Sequence, residues 1–336
     1  MDLNHIFLFV AVISPLLVLA RAWRPSGGIY RGWRVASLIV LVVTGVSWLF
    51  LRDQAGFIGG GVWFALLFVP AIGLRKVTEF ATHRRYKSAR RLATALQLVH
   101  PSAELREQVR LFRSLESGQS VGFQPAFSIP PEVTRQDRHG RLWKAPVVVV
   151  LILLNIAAFL LEIFVGDWND PEVLHQLGAL EPYRVVVLGE YWRLFTALFL
   201  HAGAAHLFFN LFALYVLGPG LERTIGSLRF AAAYLISGAG SSVGVVALTA
   251  LGVIRAAQVV GASGCVMGIV GAWAGFLLRH RHAPRAKERL LNILLIIAIQ
   301  TAFDLTTPQI STAAHVCGLI SGFLIGLLIG PRKMSI

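Results

Sequence analysis

Nine apolar runs dominate this 336-residue chain, at about 3–20, 35–51, 56–74, 145–165, 194–217, 229–251, 262–279, 290–303 and 312–330. A run near 20 residues long crosses a bilayer as a helix. The helix also satisfies its own backbone polar groups where water is absent. One soluble core could not absorb so many runs. With 56% hydrophobic and 14% charged residues, the chain reads as an all-α polytopic membrane protein. Cys265 and Cys317, the only cysteines, lie inside apolar runs and read as small packing residues rather than a disulfide. No His/Cys cluster has metal-ligand spacing, so neither a metal nor another cofactor is expected.

The charges set the topology. No Lys or Arg precedes the first run, while Arg21, Arg24, Arg31 and Arg34 follow it. That order suits a retained helix with its N-terminus outside, not a cleaved leader. The second and third runs are joined by a tight Arg52-Asp53-Gln54 turn. Residues 75–144 contain no crossing run but hold 14 of the 31 lysines and arginines. Within them Leu92, Leu96 and Val99, then Leu105, Val109 and Phe112, recur at helical spacing, separated by His100-Pro101. This predicts a helical hairpin, followed by a linker around Gly118 to Gly140 with Pro125, Pro130 and Pro131. A solvated spacer near anionic lipid is the plain reading of that region. The chain thus divides into three N-terminal membrane helices (1–74), a basic cytoplasmic hairpin and linker (75–144), and a six-helix block (145–331). If all nine runs cross, every Lys and Arg except Arg52, Arg184, Arg193 and Arg255 falls on the inner side. The bilayer therefore accounts for the net charge of +14, and no nucleic-acid partner is needed.

Small-residue stripes predict how the block packs. Gly264, Gly268, Gly271 and Gly275 share one face of its fourth helix, and Gly318, Gly322 and Gly326 share one face of its sixth. Such faces let backbones approach closely, so these two helices should lie together. In the charge-derived topology the second, fourth and sixth helices of the block all run from outside to inside. His206 and Asn210, one turn apart on one face, lie in the outer half of the second. Ser263 opens the fourth, and His315 lies near the start of the sixth. Each polar residue alone would be read as a helix-packing hydrogen bond; their common depth beside the glycine-flanked serine Gly261-Ala262-Ser263-Gly264 points to chemistry. His315 is the base that could activate Ser263. His206, the Asn210 amide and the Ser263 backbone N–H could stabilise an oxyanion, while Gly261 and Gly264 leave room for a substrate backbone. Asp304, at the outer end of the fifth helix, is expected to serve a loop or helix end, leaving a Ser–His dyad. Ser241 and Ser242 are read as packing residues beside Gly240 and Gly244. Arg193, Glu222 and Arg223 are read as holding loops and helix ends.

Glu190-Tyr191-Trp192-Arg193 precedes the second helix of the block, followed by His201, His206 and Asn210. Gly218, Glu222, Arg223 and Gly226 come next, then Gly261-Ala262-Ser263-Gly264, then Ala314-His315 with Gly318 and Gly322. In this order, on six helices, the region from about 145 to 331 resembles the rhomboid intramembrane serine proteases. The resemblance implies a six-helix bundle with Ser263 as nucleophile, His315 as general base, and His206 and Asn210 at the oxyanion site. It also implies that the loop carrying Trp192 and Arg193 lies partly in the outer leaflet. One departure falls four residues after the serine, where the family often has an aromatic residue against the histidine and this chain has Met267. The three N-terminal helices and the basic hairpin are another, lying outside the six-helix core.

The expected function is a serine endopeptidase that cleaves single-pass transmembrane proteins near the outer membrane boundary. The alternative is a non-catalytic rhomboid-like protein that binds client transmembrane helices, but such proteins usually lack the serine or the histidine. A transporter would need acidic or cationic residues along a through-path, and the inner halves of these helices offer none that stand out. Arg-dominated loops and the lack of an organelle presequence suggest a bacterial cytoplasmic membrane, with the site opening to the extracytoplasmic side.

Overall fold

The computed structural model describes residues 3–22, 31–99, 103–116, 145–168, 170–256, 258–307 and 311–331. Among these residues there is no strand beyond an isolated bridge between Leu180 and Val259. Two compact units emerge, Asp2–Gln136 and Asp137–Ile336, the latter grouped with Met1.

In the first unit, α1 (Leu3–Ala22), α2 (Arg31–Phe50) and α3 (Ala55–Trp63) pack against one another. The expected turn at Arg52–Gln54 is a single 3-10 turn. The Asn4 side-chain oxygen accepts the N–H groups of Gly56 and Phe57 at 2.8 and 3.1 Å, satisfying the first turn of α3. A π turn, Phe64–Phe68, links α3 to α4 (Val69–Thr82), with the Val69 N–H reaching back to the Phe64 carbonyl. Pro70 explains the wide turn: proline has no N–H, and its ring would crowd the carbonyl one normal turn back. The third run was expected to end near residue 74, but its helix continues to Thr82 and carries Arg75 and Lys76. The hydropathy falls before the helix ends, because a helix can leave the hydrocarbon without unwinding.

The expected hairpin is present as α5 (Tyr86–Val99) and α6 (Ala103–Glu116). Val77 of α4 joins Ala89, Ala93, Leu96, Leu105 and Phe112 in one buried cluster, so α4 serves as the hairpin's base. Arg90 and Glu116 pair at 2.9 Å across its open end. The expected break at His100-Pro101 and the linker around Gly118 to Gly140 lie outside the described residues.

Among its described residues the second unit holds six long helices and three short ones. They are α7 (Pro146–Val165), α8 (Pro171–Leu177), α9 (Pro182–Val187), α10 (Arg193–Thr196), α11 (Ala204–Ile225), α12 (Ser227–Ala250), α13 (Ser263–Arg279), α14 (Ala286–Thr306) and α15 (Thr312–Leu328). With the first unit included, seven helices among the described residues are long and apolar enough to cross a membrane. The fold is that of a polytopic helical membrane bundle. α13 and α15, of 17 residues each, are shorter. At 1.5 Å per residue they are about 25 Å long, against a hydrocarbon core of about 30 Å.

One expected run is divided. Residues 194–217 were read as a single helix, but α11 begins only at Ala204, after Gly203 at φ 103°. The apolar stretch before it belongs to a structured loop with α8, α9 and α10. Arg193 holds that loop from inside: its buried guanidinium donates to the carbonyls of His175 (2.9 Å) and Ala179 (3.0 Å) and to the Glu190 carboxylate. Arg184 donates to the other oxygen of Glu190 at 3.0 Å. Glu222 has a comparable task at the opposite end, accepting the N–H groups of Val147 and Val148 and the Ser227 hydroxyl. It thereby caps α7, and the expectation that Arg193 and Glu222 hold loops and helix ends matches their contacts.

The closest packing joins α13 to α15, as the glycine stripes imply. A Cβ added at Gly318, Gly322 or Gly326 would come within 3.0 Å of a backbone oxygen of α13. One added at Gly271 or Gly275 would meet the backbone of α15 equally closely. Helix axes this near leave no room for any side chain at the seam.

Two outcomes follow from this packing and from the loop. Gly322→Ala should destabilise the bundle by about 1–3 kcal/mol through overpacking. Gly45→Ala in α2, with nothing within 4 Å of the new methyl, should be neutral or slightly stabilising. Thermal unfolding of the solubilised protein reads both. In the loop, the hydrogen bond from Arg193, opposed by partial burial and aided by Arg184, holds the Glu190 carboxyl below its ordinary range. A depressed carboxylate stabilises the folded loop fully above its unfolded value and loses that contribution as pH falls through the folded one. Amide hydrogen exchange in residues 190–198, corrected for intrinsic rates, should therefore accelerate below about pH 4. Glu190→Gln should exchange fast at neutral pH and lose that dependence.

Candidate active site

Ser263 is the first residue of α13, and its placement depends on the segment before it. Gly261 sits at φ 126°, a conformation open to glycine and costly to other residues. Its N–H donates to the Ala197 carbonyl at 2.9 Å. Two residues earlier, Val259 exchanges backbone hydrogen bonds with Leu180 at 2.8 and 2.9 Å, so the structured loop fixes the approach to the serine. A Cβ at Gly261 would lie 2.6 Å from His206 Cε1 and 3.6 Å from Ser263 Oγ. The absent side chain is therefore what lets His206 and Ser263 face the same space.

His315 is placed by the partner helix. Ser311 caps α15, its hydroxyl accepting the Ala314 N–H at 3.3 Å, which puts His315 in the first turn. A Cβ at Gly318 would collide with the Gly264 carbonyl, and one at Gly264 would lie 3.7 Å from the Ala314 carbonyl. Residues 263–264 and 314–318 are therefore opposed across the seam. Ser241 of α12 locks this register from the side, donating to the Ala314 carbonyl at 2.6 Å. The hydroxyl of Ser241 is thus committed to packing, as expected, and Ser242 is buried beside it.

His206 lies in the first turn of α11 and Asn210 one turn further along. The His206 ring lies against Gly261 at the approach to α13, which joins α11 to the same region. The Asn210 Nδ2 is buried and has no acceptor among the described residues. A cavity of about 200 Å³ opens over the start of α13, lined by His206, Ser241, Ser242, Gly261, Ser263 and Ser311 among others. Ser263, His315, His206 and Asn210 all fall within the first two turns of their helices at one end of the bundle, and of the four Ser263 and His206 line the cavity. The basic turns Arg223 to Arg229 and Arg279 to Arg289 lie at the other end, as helix direction requires.

His201 supports the cluster from the loop. Its N–H donates to Glu162 Oε1 of α7 at 2.9 Å, and its Nδ1 lies 3.0 Å from the Phe199 carbonyl. A carbonyl only accepts, so Nδ1 carries the ring proton. Burial, with His206 alongside, pushes His201 down to about 3, so the ring is neutral at physiological pH. It meets the His206 ring edge-on, at 5.2 Å and 70°. Glu162 was not singled out from the sequence, although a lone acid in the run 145–165 was the available signal.

Asp304 requires a correction. It was expected to serve a loop or helix end, but its Oδ2 lies 2.7 Å from His315 Nδ1. Its other oxygen accepts from Gln300 Nε2 at 2.8 Å. Both members of the Asp304–His315 pair are buried, with side chains 3% and 6% exposed. The sequence placed Asp304 at the outer end of the fifth helix and gave it no claim on the histidine; it offered no means of seeing that the last turn of α14 aims the carboxylate at His315. Met267 fills space between α13 and α14 with Val270, Ala274 and Ile293. Cys265 and Cys317 face Gly238 and Gly244 of α12.

Residues 188–332 match the rhomboid domain family. The chain is 41% identical over 233 residues to RHOMBOID-like protein 6, mitochondrial, of Arabidopsis thaliana, covering 60% of this chain and 74% of that protein. It is 30% identical over 192 residues to the putative rhomboid protease YdcA of Bacillus subtilis (strain 168), covering 56% of this chain and 90% of that one. The rhomboid protease GluP of the same bacterium is 37% identical over 190 residues, 56% of this chain and 36% of GluP. On these likenesses the chain is a member of the rhomboid family, an integral multi-pass membrane protein.

Proposed function

We propose that this chain is an intramembrane serine endopeptidase that cleaves single-pass transmembrane proteins near the outer boundary of the bilayer. The reading draws its support chiefly from the opposed first turns of α13 and α15, which carry Ser263 and His315, and from the cavity over Ser263. Relatives named as rhomboid proteases support it. Ser263 Oγ attacks the scissile carbonyl as His315 Nε2 takes its proton. The developing oxyanion is held by the Ser263 N–H, the Asn210 amide and His206, of which the Asn210 amide is buried and unpartnered among the described residues. The imidazolium then protonates the departing amine, and water hydrolyses the acyl-enzyme with His315 again as base.

The substrate follows from the same geometry. A peptide in a regular helix has its carbonyls engaged, so a transmembrane segment must unwind locally to enter. The structured loop supports a place partly in the outer leaflet, since Tyr183, Val186, Tyr191, Trp192 and Phe195 are all exposed on it. The concentration of basic residues at the opposite end supports an extracytoplasmic opening. The relatives named above come from a plant and from a bacterium and do not favour a bacterial cytoplasmic membrane over an organelle.

Incubation of the purified protein with a model transmembrane substrate tests the proposal. Cleavage should disappear in Ser263→Ala and His315→Ala, and a fluorophosphonate should label the parent but not Ser263→Ala. Asn210→Ala should lower kcat by about 10²–10³-fold if that amide holds the oxyanion. Persistent cleavage by Ser263→Ala would refute the mechanism. A parent that neither cleaves nor is labelled, yet retains the transmembrane segment, would establish the client-binding alternative.

A further inference from the structure

The Asp304–His315 pair goes beyond a Ser–His dyad. A deprotonated carboxylate can only accept a hydrogen bond, so the 2.7 Å contact requires the proton on His315 Nδ1. The lone pair of the neutral ring then lies on Nε2. Asp304 is itself constrained, because Gln300, one turn earlier on α14, donates to its second oxygen. Neither partner is exposed enough for water to substitute for the other.

We propose that Asp304 is a positioning residue for His315: it selects the tautomer and ring orientation in which Nε2 serves as the base toward Ser263. The inference rests on the function proposed above and extends it. An unconstrained imidazole would divide between two tautomers, one of which places N–H where the base is required. When Nε2 accepts the serine proton, the adjacent carboxylate also stabilises the imidazolium, in surroundings that screen the interaction poorly. The arrangement links α14 functionally to α13 and α15. Elsewhere α14 packs chiefly on α13, through Ala286 and Ile293.

A purely structural pin between α14 and α15 would make a different prediction, and one set of variants separates the two. Asp304→Asn is nearly isosteric, but its amide N–H would turn toward Nδ1 and force the proton onto Nε2. For a positioning residue, kcat should fall about 10³–10⁴-fold with KM changed less than about threefold, and fluorophosphonate labelling should slow in parallel. Asp304→Glu should recover at least about tenfold of that loss, since it restores a carboxylate acceptor. The tautomer can be read without turnover by ¹⁵N NMR of histidine-labelled parent protein, with His315→Gln identifying the resonance. The expected signature is protonated Nδ1 and unprotonated Nε2.

Folded Asp304→Asn protein with parental kcat, or an Nε2-protonated His315 in the parent, would overturn the inference. If Asp304→Asn fails to fold, the NMR signature of the parent and the rate of Asp304→Glu still decide it. Failure of the proposed function is a separate result, in which Ser263→Ala still cleaves or the parent is not labelled, and the tautomer measurement then stands by itself.

Discussion

Everything at the site depends on two helices touching through their backbones. Lipid chains are as apolar as leucine, so helices inside a bilayer are not driven together by hydrophobic burial. Close van der Waals contact takes over, and it requires surfaces without side chains. α13 and α15 supply such surfaces with Gly268, Gly271 and Gly275 on one side and Gly318, Gly322 and Gly326 on the other. The fit also fixes longitudinal register, because each glycine lies over a particular carbonyl of the partner. A slip of one turn would shift the helices by about 5.4 Å and separate residue 263 from residue 315. The seam that supplies packing energy is therefore the same element that aligns the proposed nucleophile with its proposed base.

Several buried polar residues elsewhere answer a backbone group that the membrane leaves without water. Glu222 accepts two N–H groups at the start of α7, and Arg193 binds two loop carbonyls. Ser241 binds the Ala314 carbonyl, and Glu162 the N–H of His201. Removing one partner from such a contact leaves the other buried and unsatisfied, which costs more than the bond itself contributes. Ser263, His206, Asn210, His315 and Asp304 lie apart from these, near one end of the bundle. Their concentration at one end of the bundle is what sets the proposed site apart from ordinary helix packing.

Much of this was legible in the sequence because it depends on periodicity and depth. The apolar runs marked the long helices, the glycine stripes paired α13 with α15, and the charge distribution brought four polar residues to one level. What escaped depends on direction and on local geometry. Hydropathy does not distinguish a helix from an apolar loop folded against one, so residues 194–203 were joined to α11 although Gly203 and the Arg193 contacts separate them. Nor does hydropathy register a helix that emerges from the hydrocarbon intact, as the one ending at Thr82 does. Asp304 escaped for a subtler reason. Its place at the outer end of a helix was evident, but an acid there has an ordinary use, and only the rotation of α14 shows that the carboxylate points at His315 instead.

The shortness of α13 brings these features together. Its far end is anchored near the basic turn, where Arg279 donates to the Leu327 carbonyl. About 25 Å of helix measured from that boundary ends roughly one turn short of the opposite one. The chain must therefore descend into the bundle to reach Ser263. It does so through residues that bond to the structured loop at Leu180 and Ala197, with Gly261 in a backbone conformation that suits glycine alone. The descent leaves a recess lined by the hydroxyls of Ser241, Ser242 and Ser311, where water can stay at a depth otherwise occupied by lipid. Hydrolysis needs water beside an unwound peptide, so a helix too short to cross the membrane is the condition that makes chemistry at its first residue physically reasonable.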